Sequence, residues 1–290
     1  MCLAALLAVA PGCDFVFRLE PASLPRDGGG SIDDANDGGG SGDAPPGTTA
    51  YISAGDYDGD SIANAVDPCP LDPTIDTADG DSDGLPDACD PDLNGTETKD
   101  CIVLLETFEG IVDPRWKGTA GWVANCESDT AYCSPRAPSF SYLYFDQPYS
   151  VAQVRTELRL RNVATPAKDN GFQTFATLTP SGGDVTGASC GWTKTSALSE
   201  PRIQIRLNST TTFESSSSTG AFVEGGDVTL SWTPKSLTSS SSLCRRVGAP
   251  NVDVTSTLPI LDTGRYVGLR NQDLDLNVHY VVAYGSTCPQ

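Results

Sequence analysis

A chain of 290 residues with a net charge of −20 and 38% hydrophobic residues is long enough for two folded units, yet part of it must lack a core. The charge is local: residues 1–100 hold 21 Asp or Glu against 3 Lys or Arg, whereas residues 101–290 hold 17 against 15. That acidity argues against a nucleic-acid partner, and ten cysteines beside one His and one Met point to disulfides in an oxidising compartment, with no CxxC pair to suggest zinc.

Residues 1–18 begin with MCLAALLAVA, an apolar run of signal-peptide length that is too short to span a bilayer as a helix. No Lys or Arg precedes it. Ala10-Pro11-Gly12-Cys13 resembles a bacterial lipobox, which implies lipidation of Cys13 and possible anchoring in a membrane; plain secretion and a buried helix start are the other readings. Residues 19–50 are rich in Gly, Asp and Ser, and Asp27–Ser31 repeats as Asp37–Ser41. Such a composition cannot offset chain entropy, so it reads as a solvated, disordered tether with a reach of about 30 Å.

Residues 51–100 carry the strongest chemical signal. Asp56, Asp58, Asp60, Ile62, Asn64 and Asp67 stand at positions 1, 3, 5, 7, 9 and 12 of a twelve-residue loop. Asp79, Asp81, Asp83, Leu85, Asp87 and Asp90 repeat the spacing 23 residues later. Five side-chain oxygens plus the carbonyl at position 7 can surround one Ca²⁺, which needs six to eight oxygen ligands. Two copies make an accidental acidic run a poor explanation.

These loops, with Asp67-Pro68-Cys69-Pro70 and Asp87-Ala88-Cys89-Asp90 beside them, resemble the thrombospondin type 3 repeat. The resemblance implies that the loop residues are the calcium ligands and that a Cys69–Cys89 disulfide ties the repeats, contributing about 3 kcal/mol on the loop-entropy model. It also implies a calcium-rigidified stalk. Two departures suggest modest affinity: Ser61 stands at the sixth position, where Gly is usual, and position 12 is Asp in both loops.

From Cys101 onward the pattern changes to period two. Ala152, Val154, Leu158 and Leu160 (with Thr156) alternate with Gln153, Arg155, Glu157 and Arg159. Ile203, Ile205 and Leu207 form a second such run, Val228, Leu230 and Trp232 a third, and Leu276, Val278, Tyr280 and Val282 a fourth. Alternation separated by Gly-rich turns predicts an all-β antiparallel sandwich over residues 101–290. Glu106-Thr107-Phe108-Glu109, Asp113-Pro114-Arg115-Trp116, and the closing run from Gly264 to Gly285 resemble concanavalin A-like, LamG-type jelly rolls. That fold hosts lectins, enzymes and passive modules alike, so it fixes no activity.

No catalytic constellation is present. Glu127-Ser128-Asp129 lacks the third acid of the glycosidase strand E-x-D-x-x-E. The single His, His279, falls opposite the apolar face of its strand, where it is expected to meet solvent. The expectation is therefore a non-enzymatic, calcium-binding surface or secreted protein that displays an adhesion or structural sandwich to a surface-protein ligand. The alternative is a lectin-like module binding glycans, or less plausibly cleaving them, with Trp116, Trp122, Trp192, Trp232 and the nine Tyr as stacking platform or core. Six cysteines remain for the sandwich. Cys126–Cys133 closes a short loop, and Cys101–Cys288 brackets the domain. Cys190–Cys244 follows by elimination and would pin a Ser-rich region to a strand.

Overall fold

The computed structural model describes most of residues 50–285. Residues 1–49, 75–76, 83, 88, 91–100, 110–111, 125–131, 135–139, 150, 152, 164–168, 182–183, 196, 199, 208–210, 217–221, 235–240, 249, 258–265 and 286–290 lie outside the description. Contacts divide the chain into Met1–Asp43 and Ala44–Gln290, and every described residue belongs to the second unit. The lipobox cysteine, the tether up to residue 49 and the cysteines at 126 and 288 therefore fall outside the described residues.

The described residues form strands only: β1 (Tyr51–Ile52), β2 (Cys101–Glu106), β3 (Trp116–Gly118), β4 (Val123–Ala124), β5 (Tyr132–Ser134), β6 (Phe140–Pro148), β7 (Gln153–Val163), β8 (Asn170–Ser181), β9 (Asp184–Thr186), β10 (Ala188–Lys194), β11 (Arg202–Leu207), β12 (Thr211–Ser215), β13 (Asp227–Thr233), β14 (Ser242–Val247), β15 (Val252–Ser256), β16 (Tyr266–Gln272) and β17 (Leu274–Gly285). Among them no helix is long and apolar enough to cross a membrane. The first sheet runs β1-β2-β17-β7-β13-β14-β15, with β4 and β5 beside β17; the second runs β12-β11-β10-β8-β16-β6-β3, with β9 on β8. All pairings are antiparallel except β1 with β2. The chain is an all-β jelly-roll sandwich.

The period-two reading holds where a strand buries one face. Val154, Thr156, Leu158 and Leu160 are all enclosed, and the Thr156 hydroxyl is satisfied by that of Thr174 on the opposite sheet at 3.0 Å. Ile203, Ile205, Leu230 and Trp232 join the same core, as do Trp192 and the nearly enclosed Trp116. Trp122 is half-buried against it. The tryptophans of the proposed stacking platform are thus core or core-edge residues, because burying a large ring gains more than presenting it.

The alternation fails in β17, and the reason is a bulge. Val278 pairs with Leu158 and Tyr280 with Glu157, leaving His279 as the extra residue. Before it, Leu276 and Val278 face the core between the sheets; after it, Val281 and Ala283 do. Tyr280, Val282 and Tyr284 are turned to the outer side, where a second apolar cluster covers them. A strand with two buried faces reads as the continuous run Tyr280–Tyr284. His279 is not solvent-facing as expected: its side chain is 12% exposed, with Nε2 3.8 Å from Asp227 Oδ1.

The covering layer is the acidic segment itself. Cys69, Leu85 and Cys89, with Ile52, Tyr57 and Leu71, pack on Leu105, Tyr280, Val282 and Tyr284. β1 extends this attachment through Tyr51 opposite Leu104 and Ile52 opposite Leu105. The segment expected to stand as a separate stalk is folded against the outer face of the first sheet.

Candidate functional site: twin acidic loops and a polar sheet face

The two loops are built by the same hydrogen bonds. The amide of position 9 donates to the carbonyl just before each loop, Asn64 to Gly55 at 2.8 Å and Asp87 to Ala78 at 2.7 Å. The side-chain oxygen of position 9 accepts the amide of position 2, from Tyr57 at 3.0 Å and from Gly80 at 2.7 Å. The amide of position 6 donates to the first Asp, Ser61 to Asp56 and Gly84 to Asp79. Position 12 donates back to position 8, Asp67 to Ala63 and Asp90 to Pro86. Positions 4 and 6 take left-handed backbone in both: Gly59 and Ser61 at φ 80° and 78°, Ser82 and Gly84 at 63° and 109°. The missing glycine at Ser61 is thus half of an exchange, since each loop has one Gly and one Ser at these two turns.

In the first loop the carboxylates of Asp56, Asp58 and Asp60 approach one another, with oxygens within 4.8 Å. Each also receives backbone amides: Asp56 from Gly59 and Ser61, Asp58 from Asp60, Asp60 from Ile62. Asp67 accepts the amide of Cys69 at 2.8 Å. One oxygen each of Asp58 and Asp67 is left buried without a hydrogen-bond partner, as is one of Asp79 in the second loop. Burial pushes the Asp58 and Asp67 carboxyls upward, and neighbouring aspartates push the same way. Buried, unpartnered carboxylate oxygens beside like charges are costly alone and are what a hard dication satisfies. The residues present fit a calcium ion.

Not every sequence candidate is placed as a ligand. Asn64 is 3% exposed, and its side chain is engaged in the fold, accepting from Tyr57 and donating to the Ser53 carbonyl at 3.3 Å. Asp87 holds its loop in the corresponding way. Leu85 buries its side chain on the sheet, while Asp83 lies outside the described residues. Asp81 and Asp90 keep their loop positions, Asp90 buried. Ile62, at position 7, is half-buried.

Cys69 and Cys89 are bonded, their Cα atoms 5.4 Å apart, and the bridge lies inside the apolar cluster that holds the loops to the sheet. Cys190–Cys244 crosses the sandwich from β10 to β14 with Cα atoms 4.9 Å apart. It joins the two sheets rather than pinning a Ser-rich loop. Cys101 is disulfide-bonded as well.

A second polar feature lies on the outer face of the second sheet. Register aligns Gln204, Gly191, Gln173, Arg270 and Tyr142 in one row across β11, β10, β8, β16 and β6. Arg270 is 2% exposed, donates to Asp184 at 2.9 Å and lies 4.2 Å from the Phe140 ring centre. Arg206 donates to Gln204 at 3.1 Å and to Thr193 at 3.4 Å. A small cleft opens among Asp169, Asn170, Thr193, Lys194, Arg206 and Gln272. Tyr144 touches Tyr142 and Tyr266 at centroid distances of 6.3 and 5.1 Å. The alternation of Tyr142 and Tyr144 about Leu143 was the signal for this aromatic row, hidden among short patterns.

No family model matches the sequence, and no curated protein matches it either. Among solved structures, the Ca²⁺/Man2-bound exoplasmic/lumenal domain of VIP36 is similar over 63% of this chain and 87% of its own, at 12% identity and a TM-score of 0.45. Its Ca²⁺/Man3GlcNAc-bound form is similar over 64% and 92%, at 11% identity and a TM-score of 0.46. The metal-free carbohydrate recognition domain of Emp46p is similar over 63% and 96%, at 11% identity and a TM-score of 0.44.

Proposed function

We propose that this chain is a non-catalytic, calcium-binding β-sandwich module of an exported or surface-anchored protein, and that its ligand is a saccharide. The observation that carries the calcium reading is the pair of buried, unpartnered oxygens on Asp58 and Asp67 beside Asp56 and Asp60. A dication there would neutralise the cluster, and the second loop would hold another. Residues 1–18 serve as export segment, Cys13 as the lipidation point and residues 19–50 as tether. Residues 51–100 form the calcium-binding part and residues 101–290 the sandwich. The disulfides support an oxidising location.

The saccharide reading is favoured by the outer face of the second sheet. Planar amides, a guanidinium, hydroxyls and a carboxylate line one cleft there, groups that hydrogen-bond sugar hydroxyls, and tyrosine rings able to stack on sugar faces lie farther along the same sheet. Calorimetric titration of the calcium-stripped chain should give two sites; absence of heat up to millimolar calcium overturns the metal reading. A glycan array probed with the full chain, with and without calcium, tests the ligand. Binding to no glycan would leave a protein partner as the ligand.

A further inference from the structure

We infer that the saccharide is a neutral chain of several sugars, laid along an aromatic strip of the second sheet that runs from Phe140 to Tyr266. This rests on the reading that the sandwich binds saccharide at that face. β6 alternates Phe140, Tyr142 and Tyr144 on its outer side with Leu143 and Phe145 in the core. Phe140 is 36% exposed, and both tyrosines are half-buried. Tyr266 on the neighbouring strand β16 continues the line, its ring centre 5.1 Å from that of Tyr144. At the other end Phe140 pairs across the strands with Gln272, which lines the cleft. Strip and cleft are thus one continuous surface.

Spacing decides what can lie there. The centroids of Tyr142 and Tyr144 are 6.3 Å apart and those of Tyr144 and Tyr266 5.1 Å, with planes that differ by 29° and 38°. A ring held between two others needs roughly 7–8 Å, the sum of two van der Waals contacts. No ligand ring fits between these, so the strip does not suit a proline-rich peptide, which docks in grooves lined by aromatics. Phe175, Leu178 and Val185 pack behind the tyrosines, and Leu178 closes the gap at Gly268, where a Cβ would come within 2.8 Å of it. A ligand therefore lies across the rings, as the C–H face of a sugar does. Phe140 to Tyr144 alone spans four residues of strand, about 13 Å, which is longer than one sugar ring.

The polar groups of the strip agree. Among the described residues the hydroxyls of Tyr142, Tyr144 and Tyr266 make no hydrogen bond. Three phenols in one line offer donors and acceptors to sugar hydroxyls while their rings offer apolar faces. Lys117 stands opposite Tyr144 on β3, and Asp146 lies two residues beyond it. Both are exposed, and neither forms an ion pair among the described residues. One charge of each sign flanks the strip, so a charged polymer gains nothing that a neutral one lacks. Sugars with every hydroxyl equatorial present the flattest C–H faces, which makes a β-linked glucose chain the class that fits.

The test titrates the full chain in calcium with glucose, cellobiose, cellotetraose and cellohexaose, and with tetragalacturonate and decaproline beside them. Affinity should rise about tenfold or more from glucose to cellotetraose and then level off, with tetragalacturonate and decaproline weaker than cellotetraose. Tyr144→Ala should weaken cellotetraose about tenfold, the loss of one stacked ring, whereas Tyr144→Phe, which keeps the ring, should cost about threefold. Val247→Ala, at an exposed position of the first sheet, should change nothing. Should Tyr144→Ala misfold, as judged by near-ultraviolet circular dichroism, Tyr266→Ala decides in its place. Equal affinity for glucose and cellohexaose, a preference for tetragalacturonate, or cellotetraose binding that survives both alanine substitutions overturns the inference but leaves the saccharide reading standing. Binding confined to other sugars on an array does the same. Binding to decaproline alone, or to no saccharide in the titrations or on an array, overturns both.

Discussion

The ring of Tyr57 meets that of Tyr280 edge-on, with 5.9 Å between centroids. Tyr57 is the second residue of the first acidic loop, and Tyr280 follows the bulge in the last strand. One contact thus joins the proposed metal site to the sheet, and burial pushes both phenols well above their usual range. What holds the loop in shape therefore also covers the sheet.

Calcium should accordingly stabilise the sandwich and not only the loops. At a hundredfold excess over its dissociation constant, one site adds about 2.7 kcal/mol. For a unit of this size that corresponds to a rise in Tm of roughly 5–10 °C. Differential scanning calorimetry with calcium and with chelator measures it. Identical melting curves would mean the loops and the sheet are energetically separate.

Asp58→Ala should abolish one calcium site and Asp81→Ala the other, each leaving a single site in a titration. Asp72→Ala is the control, because that carboxylate accepts from Thr74 outside both loops. Two sites persisting in both loop variants would refute the ligand assignment.

Glu106 gives a pH signature. It is buried, with Oε1 accepting the Phe108 amide and Oε2 accepting Trp116 Nε1–H at 3.0 Å and the Tyr51 hydroxyl at 3.2 Å. Burial outweighs these bonds and raises its carboxyl above the usual glutamate range. A raised folded-state value means the native state holds its proton more tightly. The stability linked to this group is therefore full below the ordinary glutamate range and lost as pH rises through the folded value. Glu106→Gln removes that dependence and puts a donor where two donors converge, costing about 1–3 kcal/mol. In urea unfolding at matched calcium, the native chain's advantage over Glu106→Gln should grow as pH falls. An advantage independent of pH would show that Glu106 does not titrate differently on folding.

Non-reducing peptide mapping should recover Cys69–Cys89 and Cys190–Cys244, with Cys101–Cys288 and Cys126–Cys133 completing the set. Replacing Cys190 and Cys244 together by Ala should lower stability by about 4 kcal/mol, the loop-entropy value for a separation of 54 residues. A Cys89–Cys101 peptide would contradict the pairing.

Much of the fold was legible because strands with one wet face print their burial directly as alternation, as Val154 to Leu160 does. The loops were legible because ligand spacing is set by backbone geometry, and both copies obey it. What was hidden depends on contacts between segments distant in sequence. The bulge at His279 has no local signature, so Tyr280 and Val282 read as core facing the other sheet. Asn64 fits a ligand pattern, yet its partner Ser53 lies eleven residues away, directly after β1. The polar row on the second sheet was invisible for the same reason: Gln204, Gln173 and Arg270 meet only through register.

The face-switching strand has a consequence for any attempt to shorten this protein. Cutting the chain before Cys101 would leave Leu105, Tyr280, Val282 and Tyr284 as a bare stripe and uncover the edge of β2 that β1 now pairs. An uncovered edge beside an apolar stripe is a template for self-association. A fragment beginning at residue 101 should therefore form soluble aggregates at concentrations where one beginning before Tyr51 stays monodisperse.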